Sequence, residues 1–112
     1  MEVYIIAGGF IMFDILTGVI KALYNGEFNS TVMRQGGWHK LAEVTAIAGA
    51  TLLQYASTKL ELGFEVPMVN ATIIYICAME TFSSLENICM VNPELKKFFK
   101  PYLEKLNAKE NE

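Results

Sequence analysis

The residues able to carry chemistry in this chain sit mostly inside apolar runs. Asp14 interrupts "FDILTGVIKALYNG" (residues 13–26), with Lys21 one heptad further on; Glu43 and Gln54 lie in a second run, and Glu80, Ser83, Ser84, Glu86 and Asn87 in a third. Acid–base catalysis needs two such groups aimed at one reacting atom, but Glu80 and Glu86 point about 120° apart on a helix turning roughly 100° per residue. Nucleophilic catalysis needs a base beside Ser83 or Ser84, and that segment has neither a His nor a nucleophile-elbow pattern. A zinc site needs three or four converging ligands; with one His and no Cys/His cluster the chain has no metal signature. Cys77 and Cys89 share one apolar segment. About 18 Å of helical rise separates them, beyond disulfide reach, so both read as small buried hydrophobes. The expectation is no catalytic, cofactor or metal site, and no enzyme.

What must position these residues is a set of helices. The chain has 112 residues, long enough for one compact domain or for two or three membrane spans with short connections. It reads as one unit, 1–112. Its 53% hydrophobic content and mean hydropathy of +0.31 exceed those of an ordinary soluble domain without deciding the class. A net charge of −3 and the absence of a basic cluster before residue 95 argue against nucleic-acid binding, which needs a clustered Lys/Arg surface.

Three apolar segments follow one another. The first, about 3–23, has the length that crosses a hydrocarbon core of about 30 Å and ends at the Asn25-Gly26 turn signal. The second, about 41–58, is shorter and carries Glu43 and Gln54. Pro67 opens the third, about 67–91, at a position where its missing N–H is tolerated, and Asn92-Pro93 closes it. In the first connection Ser30 offers an N-cap, Gly36-Gly37 argues against a long helix, and Trp38 with His39 and Lys40 resembles an interfacial anchor for the second span. The opening Met-Glu-Val lacks a basic leader region, so the first run is expected to stay in the mature chain. The sequons at Asn29 and Asn70 read as chance matches.

The wheel positions of the polar residues decide between a soluble bundle and a membrane protein. Asp14, Thr17, Gly18 and Lys21 fall in one arc about 100° wide, and the remaining faces are apolar. A soluble surface helix has the reverse arrangement, a narrow apolar stripe and a broad polar face. Glu43, Ala50, Gln54 and Ser57 likewise form one stripe, and Glu80, Ser83, Ser84, Glu86 and Asn87 share an arc of about 160°. Each segment thus has one polar stripe bearing an acid. In the first, eleven Val, Ile, Leu and Phe residues favour insertion by about 3 to 7 kcal/mol, against about 3 for Asp14. Such a helix inserts and gains by finding a polar partner: either a neighbouring helix, in a closed seam aided by the small-xxx-small pair Gly18 and Ala22, or water in an oligomer.

Lys21, Arg34 and Lys40 flank the first connection, and Lys96, Lys97, Lys100, Lys105 and Lys109 fill the tail, whereas Lys59 in the second connection faces Glu61 and Glu65. The positive-inside rule then predicts an all-α integral membrane protein with three transmembrane helices, N-terminus out and C-terminus in. In the tail, 92–112, Phe98, Phe99, Tyr102, Leu103 and Leu106 interleave with the lysines. An amphipathic segment on an anionic membrane surface is one reading; a solvated tail, its helix interrupted at Pro101, is the commoner one.

The order "Asp14-Ile-Leu-Thr17-Gly18-Val-Ile-Lys21-Ala22", Asn29-Ser30, Gly36-Gly37 with Lys40, and "Glu80-Thr-Phe-Ser83-Ser84-Leu-Glu86-Asn87" before Asn92-Pro93 and a Lys-rich tail resembles the toxin-secretion and phage-lysis holins called bacteriophage holin family 4. The resemblance covers nearly the whole chain and is carried by the first and third segments. It implies a multi-pass protein of the bacterial cytoplasmic (inner) membrane, encoded by a phage or prophage, that forms homo-oligomeric lesions. The cargo it implies is an endolysin or a toxin, and an antiholin is the further partner to look for. No second Met lies just downstream of Met1, so a dual-start inhibitor product is not expected. The resemblance assigns no role to single residues; the stripe Asp14, Thr17, Gly18, Lys21, Glu43, Gln54, Glu80, Ser83, Ser84, Glu86 and Asn87 is expected from the wheel to line a pore or pack a seam. Two other classes compete with this reading. A small transporter or ion-channel subunit also carries intramembrane acids, and a peripheral helical interaction module would wash off the membrane with carbonate.

Overall fold

The computed structural model describes residues 1–26, 29–63 and 67–110; Glu65 of the second connection and the side chains of Leu103, Leu106 and Lys109 lie outside the described residues. Four helices follow in chain order: α1 (Glu2–Asn25), α2 (Ser30–Lys59), α3 (Met68–Val91) and α4 (Pro93–Glu110), with no strand among the described residues. The all-α class is as expected. Of the four, α1 and α3 are long and apolar enough to cross a membrane. The second helix, at 30 residues, is long enough but does not reach that apolar character.

The ends of the helices follow from local chemistry. Gly26 takes the left-handed conformation (φ 68°, ψ 19°) and its N–H reaches the Ala22 and Leu23 carbonyls, closing α1 as a glycine cap does. Asn29, not Ser30, caps α2: its side-chain oxygen accepts the Thr31 N–H at 2.8 Å. Gly36 and Gly37 lie inside α2, correcting the expectation that they prevent a long helix there. Each costs about 1 kcal/mol of helix propensity, a penalty that the Asn29 cap and the packing of α2 beyond Lys40 outweigh. Pro67 occupies the cap position of α3 rather than its first turn.

A single residue, Asn92, separates α3 from α4. Its side chain accepts the Glu94 N–H at 3.2 Å, which starts the last helix with Pro93 in the first turn. This helix runs through Pro101, correcting the expectation of an interruption. The proline ring removes one backbone bond, the one that would reach the Lys97 carbonyl, and that single loss does not end the helix.

Paired residues give the direction of each helix. Ala7 packs with Val69 and Ile73 near one end of α1 and α3, and Thr17 meets Asn87 towards the other, so these two helices run parallel. Tyr4 hydrogen-bonds Thr51 at 3.0 Å while Lys40 meets Asp14, so α2 runs antiparallel to both. At about 1.5 Å of rise per residue, Tyr4 to Asp14 and Thr51 to Lys40 climb nearly the same height. Lys40 therefore lies level with the middle of α1, well inside α2.

The core is small. Ala7, Val69 and Ile73 form one cluster with Val3, Tyr4, Ile47 and Cys77 packed around it, and Ile11, Ala50, Ile76 and Cys89 are also buried. Large apolar side chains such as Ile5, Leu16 and Ile74 are exposed. Only 22% of the most apolar stretch of α1 and 28% of that of α3 is buried inside the molecule. A core helix of a soluble protein would be mostly covered, and these two are not.

Candidate functional site

Against this apolar exterior, charge is gathered inside. Asp14, Thr17, Glu80 and Ser84 are buried, and Glu80 retains only 2% exposure. They sit where the polar stripes of α1 and α3 face each other, and α2 brings one cation to them. The Lys40 ammonium donates to Asp14 Oδ2 and to Glu80 Oε2, bridging three helices through one nitrogen. It also stands 3.8 Å from Glu43 Oε1, one turn along its own helix.

The other Asp14 oxygen is held from α3. Ser84 Oγ and Asn87 Nδ2 donate to Oδ1 at 3.5 and 3.4 Å. Asn87 Nδ2 also donates to Thr17 Oγ1 at 3.2 Å, and Thr17 in turn donates to the Asp14 backbone carbonyl at 3.0 Å. Every polar atom of the Asp14 carboxylate thus has a partner, the condition under which a buried charge is tolerated. Glu43 is less complete: Oε1 accepts from His39 Nδ1 at 3.1 Å, while Oε2 is buried without a partner.

Of the stripe expected from the wheel, the structure brings together Asp14, Thr17, Glu43, Glu80, Ser84 and Asn87. Ser83 is half-buried beside them. Gly18 faces Asn87, with 3.7 Å between the position of an added Cβ and Asn87 Nδ2, so the helices do not need a glycine there to approach. Three residues lie elsewhere. Glu86 is exposed, and Lys21 is half-buried and forms no ion pair among the described residues. Gln54 sits at the far end of the bundle, where its side-chain oxygen accepts the Val69 N–H at 3.0 Å and caps α3 from α2.

Lys40 is the central residue that the wheel did not select. Its sign and spacing hold the signal: it lies one turn before Glu43 on the same face of α2, one lysine beside an acid in a chain whose other two apolar segments each carry an acid of their own.

Among the described residues no group of three or more His, Cys, Asp or Glu could hold a metal ion. What the geometry does is join α2 to the α1–α3 pair through a polar centre inside an apolar shell. No curated protein and no solved structure matches the chain. The sequence profile of the bacteriophage holin family matches residues 2–108, from the start of α1 to near the end of α4 and including every residue of the charge cluster, and the chain belongs to that family.

Proposed function

We propose that the chain is a holin that crosses the bacterial cytoplasmic membrane three times, N-terminus out and C-terminus in, and assembles into lesions that let an endolysin or a toxin leave the cytoplasm. The observation that carries the reading is the Lys40–Asp14–Glu80 bridge, held inside a bundle in which α1 and α3 turn apolar faces outward. In lipid, ionic groups are retained where they face protein or water. Here they face protein, and they tie α2, the least apolar of the three bundled helices, to α1 and α3, which are long and apolar enough to cross a membrane. This accounts for how α2 enters a membrane despite Lys40 and Glu43: it does so as the packed partner of α1 and α3. With Lys40 level with Asp14, Lys21 and Arg34 remain as the basic residues at that end of the bundle, which still favours the cytoplasmic side.

The bridge then acts as a latch. In the closed monomer the carboxylates and the ammonium satisfy one another; as copies accumulate, α2 moves off the α1–α3 pair and the same groups turn to water. Water repays the desolvation of the separated charges, so the two packings need differ by only a few kcal/mol.

The deciding experiment is induced expression with and without a cytoplasmic endolysin, recording membrane potential and culture density. Abrupt loss of potential in both cultures, with clearing only where the endolysin is present, is the expected result. Solute-specific flux with potential and viability preserved would replace the holin reading by a transporter or channel subunit.

A further inference from the structure

Beyond the bundle, α4 carries a feature that the lesion reading does not use. It holds five lysines against three glutamates, whereas the rest of the chain holds nine acidic residues against four basic ones. On its wheel Leu95, Phe98, Phe99 and Tyr102 fall within an arc of about 100°, with Lys96, Lys97 and Lys100 in an opposing arc of similar width. The aromatic residues are gathered: the Phe98 and Phe99 rings lie 5.2 Å apart edge to face, and those of Phe98 and Tyr102 6.2 Å apart. Leu95 and Phe99 are half-buried, yet Phe98 is 64% and Tyr102 56% exposed, so the bundle leaves much of this face open.

The start of the helix has a fixed place. Only Asn92 separates it from α3, and Leu95 borders an apolar crease with Ile20, Ile88 and Val91 at the ends of α1 and α3. A basic helix with an aromatic face, leaving the bundle where its apolar surfaces end, meets the lipid headgroups first. We propose that α4 is a binding surface for anionic phospholipid, lying in the interface with Phe98, Phe99 and Tyr102 towards the acyl chains and Lys96, Lys97 and Lys100 on the headgroup phosphates. Aromatic rings suit that depth, lysine stems reach back to the charged layer, and each lysine near an anionic leaflet adds to the attraction.

The test uses the full chain with Tyr102→Trp as its only tryptophan, in a Trp38→Phe background, placed in lipid nanodiscs of phosphatidylcholine alone or of equal parts phosphatidylcholine and phosphatidylglycerol. The expected result is acrylamide quenching about threefold weaker in the anionic discs, a difference erased by high salt and by Lys96→Glu/Lys97→Glu/Lys100→Glu. The salt comparison needs no charge reversal, so it stands even if the triple variant fails to fold. Equal quenching in both lipids overturns the inference, as does protection that follows the protein-to-lipid ratio instead of lipid charge, because a second copy would then be covering the face. The inference rests on the membrane reading, and flotation separates the two: a chain that floats with both lipids but shows equal quenching sinks this inference alone, and one that does not float sinks both.

Discussion

Lys40 and Asp14, twenty-six residues apart in the chain, meet at the middle of the α1–α2 pair, and the same ammonium reaches Glu80 forty residues further on. One side chain thus compensates two carboxylates from two other helices. The arrangement is unequal in what its removal does. Taking away one carboxylate leaves a lysine with another acid; taking away the lysine leaves two acids facing each other with only hydroxyl and amide donors.

Lys40→Met should therefore destabilise the monomer by about 3 to 5 kcal/mol, the range for breaking a buried ionic group on one side only. Asp14→Asn/Lys40→Met/Glu80→Gln, which removes the charges together, should return most of that loss. Thermal unfolding of the detergent-solubilised proteins measures both. If the bridge is the latch, Lys40→Met should also shorten the interval between induction and lysis, and the triple variant should restore or lengthen it. Equal timing in all three proteins would show that the bridge packs the helices without controlling their opening.

Gln54 acts at the other end of the bundle, as a cap and not as part of the charge cluster. Gln54→Ala should lower stability by about 1 kcal/mol, the usual effect of losing a cap at a helix start. Gln54→Glu should keep the cap, since a carboxylate accepts the Val69 N–H and sits well at the positive end of α3. Amide exchange at Val69, measured by NMR in micelles, reads the two cases directly: faster in the alanine variant and protected in the glutamate one.

These two residues show how far the sequence could be read. Periodicity placed Asp14, Thr17, Ser84 and Asn87 on inward faces because each face is a property of one helix, computed from spacing alone. It also put Gln54 on the same stripe as Glu43, which is true of α2 and says nothing about what lies opposite each. The height of one helix against the next depends on cap positions and side-chain packing across chain-distant residues. With α2 taken to begin near Leu41, Lys40 read as a connection charge; with the helix starting at Ser30, it is an interior one. Gly36-Gly37 and Pro101 misled for a related reason. A glycine penalty of about 1 kcal/mol is weaker than the cap and contacts that hold α2, and Pro101 removes one backbone bond without ending α4.

Gly18 offers a check on how tightly α1 and α3 approach. An added methyl would meet Asn87 Nδ2 at 3.7 Å, ordinary van der Waals contact. Gly18→Ala should then be neutral or stabilising by up to about 1 kcal/mol, from the gain in helix propensity, whereas Gly18→Leu should push Asn87 away from Asp14 and Thr17 and destabilise. Unfolding midpoints of the two variants in the same detergent give the comparison. A marked loss in the alanine variant would mean that in lipid Asn87 lies closer to Gly18 than the 3.7 Å that leaves room for a methyl group.

Glu80 and Glu86 lie on one helix, six residues apart, and their environments are opposite: the first is buried against Lys40, the second exposed. Glu86→Gln should change stability by no more than about 0.5 kcal/mol, as surface substitutions do. Glu80→Gln keeps the shape of the side chain but removes half of the compensation of Lys40, and should cost about 1 to 3 kcal/mol, within the range for weakening a buried charge-assisted hydrogen bond. Combined with Lys40→Met in a double-mutant cycle, Glu80→Gln should show a coupling energy above about 0.5 kcal/mol, and Glu86→Gln none. Coupling of Lys40 to Glu86 instead would place α2 on a different face of α3 and undo the latch.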